Sequence, residues 1–402
     1  MSDYDLEMSV CELIDNSIDI WNNRGKKGKP IIDVHFNIEQ QIISIVDNCG
    51  GIKESQLDSL LAPGASQNSP DDEIIGIFGV GSKRAVVALG NDIEIRSRFG
   101  SKETFSIKID NEWLGDDRWE IPYYKVNEIN KGTTEIRIHS LRFGISDGTI
   151  HSLRERLGYT YCQFIKMGCQ IRINGQRLVA SHFEHWAFPS GNPPRQSLFS
   201  HQIDGLGEVN FDISAGLILD RDPETENYGA YFYCNDRLIC RDVKDRRVGY
   251  NVPGELGVPH PDASLCRAVI RINGPAKLMP WNSSKTDVNF DHSTIGYFRP
   301  TMMELLKHYS SLSRRLKKDW DRQVFCKTEG DVEIYDNADP EKAKTVHLPT
   351  LPRVRQSTEE KILNKNKNKI AKNPYLRGII EGIVAADLVQ KTKISAHPTV
   401  YR

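Results

Sequence analysis

Between positions 8 and 21 apolar residues recur every three or four places. At about 100° per residue, Val10, Leu13, Ile14, Ile18 and Trp21 gather on one side of a helix. Glu12, Asn16 and Asp19 gather in a narrow wedge on the other side, with Asp15 beside it. The period then changes to two. Ile32, Val34, Phe36 and Ile38 alternate with Asp33, His35 and Asn37, which predicts a strand, and a second strand over 42–46 ends at Asp47-Asn48-Cys49-Gly50-Gly51. Residues 54–61 read as a helix and 63–73 as a polar loop. Next comes Gly76-Ile77-Phe78-Gly79-Val80-Gly81-Ser82-Lys83, running into an apolar helix over 84–89 that Gly90 closes. Alternation over 93–99, 104–110 and 133–139 predicts strands of an antiparallel sheet.

Further on, the pattern predicts a helix over 148–167 and a strand-turn-strand over 171–179 with Asn174-Gly175 at its turn. Residues 183–197 are rich in Pro, Ser and Gly and suit a domain boundary. A second α+β region follows, with strands near 209–213, 228–234 and 267–272 and a long helix over 301–325. Beyond Cys326 the chain is polar, with Lys361, Lys365, Lys367, Lys369 and Lys372, and reads as a linker or exposed helix. An apolar-periodic helix over 375–389 comes last. The expected division is therefore 1–190, 191–325 and 326–402.

A chain of 402 residues has room for two or three cores. Its formal net charge of −1 excludes bulk attraction to nucleic acid, so any such contact must come from local patches. None of the eight cysteines forms a Cys-x-x-Cys pair, which argues against zinc ribbons and for reduced thiols. No signal peptide and no apolar run of membrane length is visible, so the expected location is cytoplasmic and off the membrane.

Four short segments carry chemistry. Glu12 and Asn16, at i and i+4 on one helical face, can orient a water and ligate Mg²⁺ beside phosphates. Asp47, at the end of a strand and followed by Gly50 and Gly51, can accept a hydrogen bond from a purine amino group. Gly76, Gly79 and Gly81 precede a helix, where bare backbone N–H groups make an anion site. The P-loop pattern fails there because Ser82 and Lys83 stand in the wrong order, and the dinucleotide fingerprint fails at Arg84. Gly132-Thr133 opens a strand with a hydroxyl that could support Asp47. Taken singly, these are a solvated helix face, a turn, a glycine loop and a β-branched strand start. Lys83 is equally a phosphate contact or a solvated helix start. His182-x-Glu184-His185 has no standard metal-ligand spacing.

Together, in this order, the four segments resemble the GHKL superfamily, the ATPases related to gyrase B, heat-shock chaperones, histidine kinases, MutL and MORC proteins. The resemblance implies an α+β fold, the Bergerat α/β sandwich with a mixed, mostly antiparallel sheet. It also implies ATP and Mg²⁺ as ligands. It assigns Glu12 as base, Asn16 as the Mg²⁺ ligand with Asp19 a further candidate, and Asp47 with Gly51 to adenine. Gly76, Gly79, Val80, Gly81 and Lys83 border the triphosphate, and Thr133 supports the base. Cys49 departs from the pattern by replacing the first glycine of D-x-G-x-G. Only eleven residues precede Glu12, where relatives usually carry a longer segment exchanged between subunits.

The second region narrows the resemblance. Cys234-Asn235-Asp236-Arg237-Leu238-Ile239 and Pro280-Trp281-Asn282-Ser283-Ser284-Lys285-Thr286-Asp287 are similar to MutL- and MORC-type α/β transducers. That similarity makes Lys285 the residue that senses the γ-phosphate. It implies an ATP-gated homodimeric clamp, with DNA as client and a nuclease or other defence protein as partner. A chaperone-like ATPase acting on protein and a regulatory ATP-binding module with little turnover are the alternatives.

Overall fold

The computed structural model describes residues 5–57, 69–76, 81–114, 120–189, 191–218, 227–257, 265–316, 325–329 and 333–335. Helix α1 (Leu6–Asn23) is capped by Asp5, whose carboxylate accepts the Met8 N–H at 2.7 Å. Next come β1 (Ile31–Asn37), β2 (Ile42–Asp47), α2 (Gly81–Leu89), β3 (Gly90–Arg98), β4 (Thr104–Ile109), β5 (Tyr123–Val126) and β6 (Thr133–Leu141). With β7 (Gln170–Ile173) and β8 (Gln176–Arg177) they form an eight-stranded sheet in the order β5-β4-β3-β6-β2-β1-β7-β8. Every pairing is antiparallel except β1 with β7. The fold is thus the expected α+β sandwich with a mixed, mostly antiparallel sheet.

Register explains which face of this sheet is dry. Ile43 and Ile93 flank Ile138, and Ile45 and Ile95 flank Ile136; at the end of the same rows Asp47 and Ser97 flank Thr134. Of these isoleucines Ile43, Ile45, Ile93, Ile95 and Ile138 are buried, each burial favouring the fold by roughly 1.5–3 kcal/mol. The opposite face carries ion pairs such as Arg96 and Arg137 with Glu135. The apolar face therefore ends in a polar corner made of Asp47, Thr134 and Ser97.

A second, six-stranded sheet has the order β13-β12-β14-β11-β10-β16. Its members are β10 (Arg195–Ile203), β11 (Gly207–Leu217), β12 (Gly229–Cys234), β13 (Arg237–Val243), β14 (Cys266–Asn273) and β16 (Glu333–Tyr335). The last helix (Thr294–Leu316) turns Phe298, Met302, Leu306 and Tyr309 inward, and the Phe298 ring lies against Phe211 and Phe232. Asn235 and Asp236, at φ +47° and +65°, make the two-residue turn between β12 and β13, a conformation these residue types tolerate. All described residues fall within one compact unit, Met1–Ala343. Among them no helix is long and apolar enough to cross a membrane.

Several expectations are corrected. The helix over 148–167 is divided into α3 (Asp147–Thr160) and α4 (Cys162–Lys166), because Tyr161, at φ −108° and ψ 18°, leaves helical geometry to turn its buried ring toward α1. Gly90 closes the helix as expected, but the strand expected from 93 follows without a loop. Gly90 starts β3 directly, where a Cβ would meet the His139 carbonyl at 2.5 Å. The stretch 183–197 is no bare linker, since β9 (His185–Pro189) buries Trp186 in a cluster with Cys162, Tyr231, Tyr233, Leu238 and Val269. The long helix begins at Thr294 rather than at 301 and runs through Pro300. Phe325 belongs to β15 (Phe325–Glu329), paired antiparallel with β9, and β16 pairs parallel with β10, so the region after Cys326 begins with strand rather than linker. Residues 54–56 form a 3₁₀ turn. The rest of the helix expected to 61, the lysines of 361–372 and the helix over 375–389 lie outside the described residues.

Trp186 fastens β9 to the second sheet, so Trp186→Ala is expected to cost about 3–5 kcal/mol, a typical figure for removing a buried tryptophan. Urea unfolding monitored by circular dichroism checks this; a loss below about 1 kcal/mol would contradict the packing described.

Candidate active site

The polar stripe of α1 is buried. Glu12 is 4% exposed and Asp15 and Asp19 are 0% and 2% exposed, so both sides of the helix are covered. What covers the polar side comes from far along the chain. The Lys285 ammonium donates to Glu12 Oε1 at 2.7 Å and to Asp15 Oδ2 at 3.2 Å. Arg237 Nε donates to Asp15 Oδ1 at 2.9 Å, and the Tyr161 hydroxyl lies 2.7 Å from the same oxygen.

Local sequence explains how Lys285 reaches this place. The loop after Pro280 is closed by Asn282, whose side-chain oxygen accepts the Thr286 and Asp287 N–H groups and whose carbonyl accepts the Lys285 N–H. Lys285 itself sits at φ +53°, a left-handed conformation that disfavours a side-chain-bearing residue. Arg237 Nη1 holds the Lys285 carbonyl at 2.9 Å, tying this strained peptide to the same guanidinium that pairs with Asp15.

The electrostatics follow from the geometry. Burial alone would raise the Asp15 carboxyl, but Arg237 and then Lys285 outweigh it and hold it below its ordinary value. Burial would likewise lower Lys285, yet Asp15 and Glu12 raise it, and the ammonium stays charged. Burial pushes Asp19 up to about 7, although it accepts the Ile75 and Gly76 N–H groups at 2.8 and 2.6 Å.

The other end of the site is the polar corner of the first sheet. Asp47 Oδ2 accepts the Ser17 hydroxyl at 3.1 Å, and Oδ1 accepts the Cys49 N–H at 2.8 Å. Burial pushes its carboxyl up to about 6. Gly51, at φ +72°, passes so close to β3 that a Cβ would lie 2.2 Å from the Arg98 carbonyl, so only glycine fits. Gly50 donates to the Gly132 carbonyl at 2.9 Å and Gly132 to the Arg98 carbonyl at 2.9 Å, which draws three turns together. Cys49 is not among the residues with positive φ, so the missing glycine leaves the turn intact, and its thiol is buried.

The sequence pointed to Thr133, but the register places Thr134 beside Asp47, with Ser97 Oγ 2.9 Å from its hydroxyl. Thr133 pairs with Arg98 and, by the period of two, lies on the face opposite Thr134. Asn16 is half-buried on the face of α1 that carries Glu12, and its amide bonds to no described residue. Gly76 is held by Asp19, and Gly81 and Lys83 open α2. Gly79 and Val80 lie outside the described residues. His182 stacks on His185 at 4.3 Å while Glu184 pairs with Arg271, so that four-residue segment is engaged in packing.

Sequence reasoning missed Asp15, Ser17, Tyr161, Arg237 and Thr134 as members of the site. Asp15 and Arg237 stood within the quoted motifs, and burial is what gives them their role. Tyr161 carries no signal in the sequence.

Residues 4–140 match the family model of the histidine kinase-, DNA gyrase B- and HSP90-like ATPases. This segment is therefore a GHKL-type ATPase domain, and at the level of that superfamily it supports binding and hydrolysis of ATP. No curated protein matches the chain. The donor set fits the ligands this class implies: a buried carboxylate for the adenine amino group, and an amide oxygen without a described partner, Asn16, for Mg²⁺.

An ionised Asp47 is costly in the free protein. Because its folded pKa lies above the ordinary 3.8, the cost is absent below about pH 4 and sets in as pH rises toward 6. Above that it amounts to about 3 kcal/mol, at 1.36 kcal/mol per pKa unit. Asp47→Asn is accordingly expected to raise the melting temperature at pH 7.5 by a few degrees, less at pH 5, while weakening binding of a fluorescent ATP analogue at least tenfold. A variant that binds as well as the parent would remove Asp47 from the adenine site.

Proposed function

We propose that the chain is a Mg²⁺-dependent ATPase in which residues 1–190 bind and hydrolyse ATP and residues 191–325 act as the transducer that senses the γ-phosphate. The observation that carries this reading is Lys285 Nζ, 2.7 Å from Glu12 Oε1. A cation from the second sheet, placed on the carboxylate proposed as base, is where a γ-phosphate and the second sheet can communicate.

Asp47 accepts the adenine amino group, with Ser17 and the Cys49 N–H orienting its oxygens. The family resemblance assigns Gly76, Gly79, Val80, Gly81 and Lys83 to the phosphates, where backbone N–H groups meet negative charge. Asn16 holds Mg²⁺, which when bound neutralises phosphate charge. The arriving γ-phosphate competes with Glu12 for the Lys285 ammonium. Once Lys285 turns to phosphate, the Glu12 carboxylate is free to accept a proton from water as the water oxygen bonds to the γ-phosphorus and ADP leaves. Arg237 keeps Asp15 neutralised meanwhile and anchors the Lys285 loop through its carbonyl.

Movement of Lys285 toward nucleotide draws the second sheet with it, and two chains close as an ATP-gated dimeric clamp. The client is DNA, in the cytoplasm, in a setting such as restriction or phage defence with a nuclease as partner. This last step rests on the likeness of Asn235–Ile239 and Pro280–Asp287 to MutL- and MORC-type transducers. Light scattering with a non-hydrolysable ATP analogue tests it: a doubling of mass supports the clamp, and an unchanged mass contradicts it.

For the chemistry, Glu12→Ala is expected to lower phosphate release at least 100-fold while leaving ATP-analogue affinity within about threefold, because a general base acts in the transition state. Lys285→Met is expected to lower release at least tenfold. Unchanged release by Glu12→Ala would remove Glu12 as the catalytic base.

A further inference from the structure

The nearly neutral chain carries a dense block of positive charge just after its first helix. The segment Asn22-Asn23-Arg24-Gly25-Lys26-Lys27-Gly28-Lys29 follows α1, and residues 23–29 are all exposed. Gly25 and Gly28 take left-handed turns with nothing within 4 Å of where a Cβ would stand, so the loop projects into open space. It is nevertheless anchored: Arg24 Nη1 donates to the Cys49 carbonyl at 2.9 Å.

That anchor joins the loop to the other turns at the same end of the first sheet. Gly50 bonds to Gly132, Gly132 to Arg98, and Arg98 Nε to the Lys102 carbonyl at 3.0 Å. These turns present Lys53, Lys102 and Lys131, each exposed. Nearby acids are already engaged, Glu128 by Arg98 and Glu103 by Lys125, while Glu54 accepts the Tyr123 hydroxyl. Lys26 lies 4.0 Å from Asp236. Among the described residues, Arg24, Lys27, Lys29, Lys53, Lys102 and Lys131 form no salt bridge.

Six unneutralised cations on one rim, in a chain whose net charge is −1, make a local field that solvation of a single loop does not explain. We propose that this rim is the surface on which the chain holds the phosphate backbone of duplex DNA. The inference rests on the reading of DNA as client and names where that client is touched. Flexible lysines on glycine-containing turns fit contacts to phosphate rather than to base edges, so binding is independent of sequence. Each phosphate neutralised steepens the salt dependence of affinity by about 0.9 in the log–log slope.

The test uses the full chain and a fluorescent, random-sequence duplex of about 30 base pairs, with anisotropy titrations from about 50 to 300 mM salt. The paired change Lys27→Glu with Lys29→Glu is expected to weaken binding at least tenfold and flatten the slope by about 2. Lys102→Glu with Lys131→Glu should do the same from the other side of the rim. Melting temperature and ATP-analogue affinity, unchanged in both, show that fold and nucleotide site are intact. If the parent binds DNA and both variants bind it with the same affinity and slope, the rim is wrong and the client reading stands. If the parent binds no duplex at the lowest salt, both fall. If polyglutamate binds the rim as tightly as DNA, the partner is an acidic protein instead.

Discussion

Two carboxylates of the first helix, Glu12 and Asp15, are buried against two cations of the second sheet's turns, Lys285 and Arg237. Taking such ions out of water costs several kcal/mol each, and the cost is offset only when every charge is partnered. Here two negative and two positive groups balance, and Tyr161 adds its hydroxyl to Asp15. The cluster is therefore stable only as a whole. It explains why the polar stripe of α1 is dry, why α3 ends at Tyr161, and why Lys285 is held in a left-handed backbone conformation. It also means that a further anion cannot enter without rearranging the set. In the function proposed above a triphosphate is that anion, and the neutral, buried cluster next to Asn16 then serves as a sensor as well as a support.

A second connection runs through residues 69–76. The Ala276 and Lys277 N–H groups donate to the Asp72 and Pro70 carbonyls at 3.0 Å, and Lys277 pairs with Asp71. Asn235 donates to the Ile74 carbonyl at 2.9 Å while its own oxygen accepts the Gly274 N–H. Ile75 and Gly76 then donate to Asp19. This strap leads into the glycine motif and is bonded on one side to α1 and on the other to the second sheet. Lys285 and the strap thus reach the nucleotide helix from opposite ends of its polar face, at Glu12 and at Asp19. Both ends of this polar face are therefore connected by hydrogen bonds to the region of β12–β14.

Much of the first sheet was legible because its chemistry follows the period of its strands. Ile43, Ile45 and Asp47 share one face in the sequence pattern and share it in the structure, and the Asn174-Gly175 turn stands where it was expected. What the pattern could not give was burial by distant segments. Glu12 and Asp19 look solvated on a helical wheel, since nothing local says that Lys285 will cover Glu12 or that the Ile75 and Gly76 N–H groups will meet Asp19. Thr133 and Thr134 differ only in register, which a glycine-led motif leaves open by one residue. The long helix is expected to start at Thr301, but it begins at Thr294, and Phe298 in the added turns packs against Phe211 and Phe232. Residues 183–197 have the composition of a linker, but one tryptophan, Trp186, suffices to draw them into the core.

The central claim is that Lys285 and Glu12 act as a unit, one released as the other is engaged. A double-mutant cycle on phosphate release, using Glu12→Gln, Lys285→Met and the pair, measures this directly. The account predicts strong non-additivity, with the double variant no slower than about threefold below the slower single variant, as for groups that serve one step. Rate losses that simply multiply would show two independent residues and would contradict it.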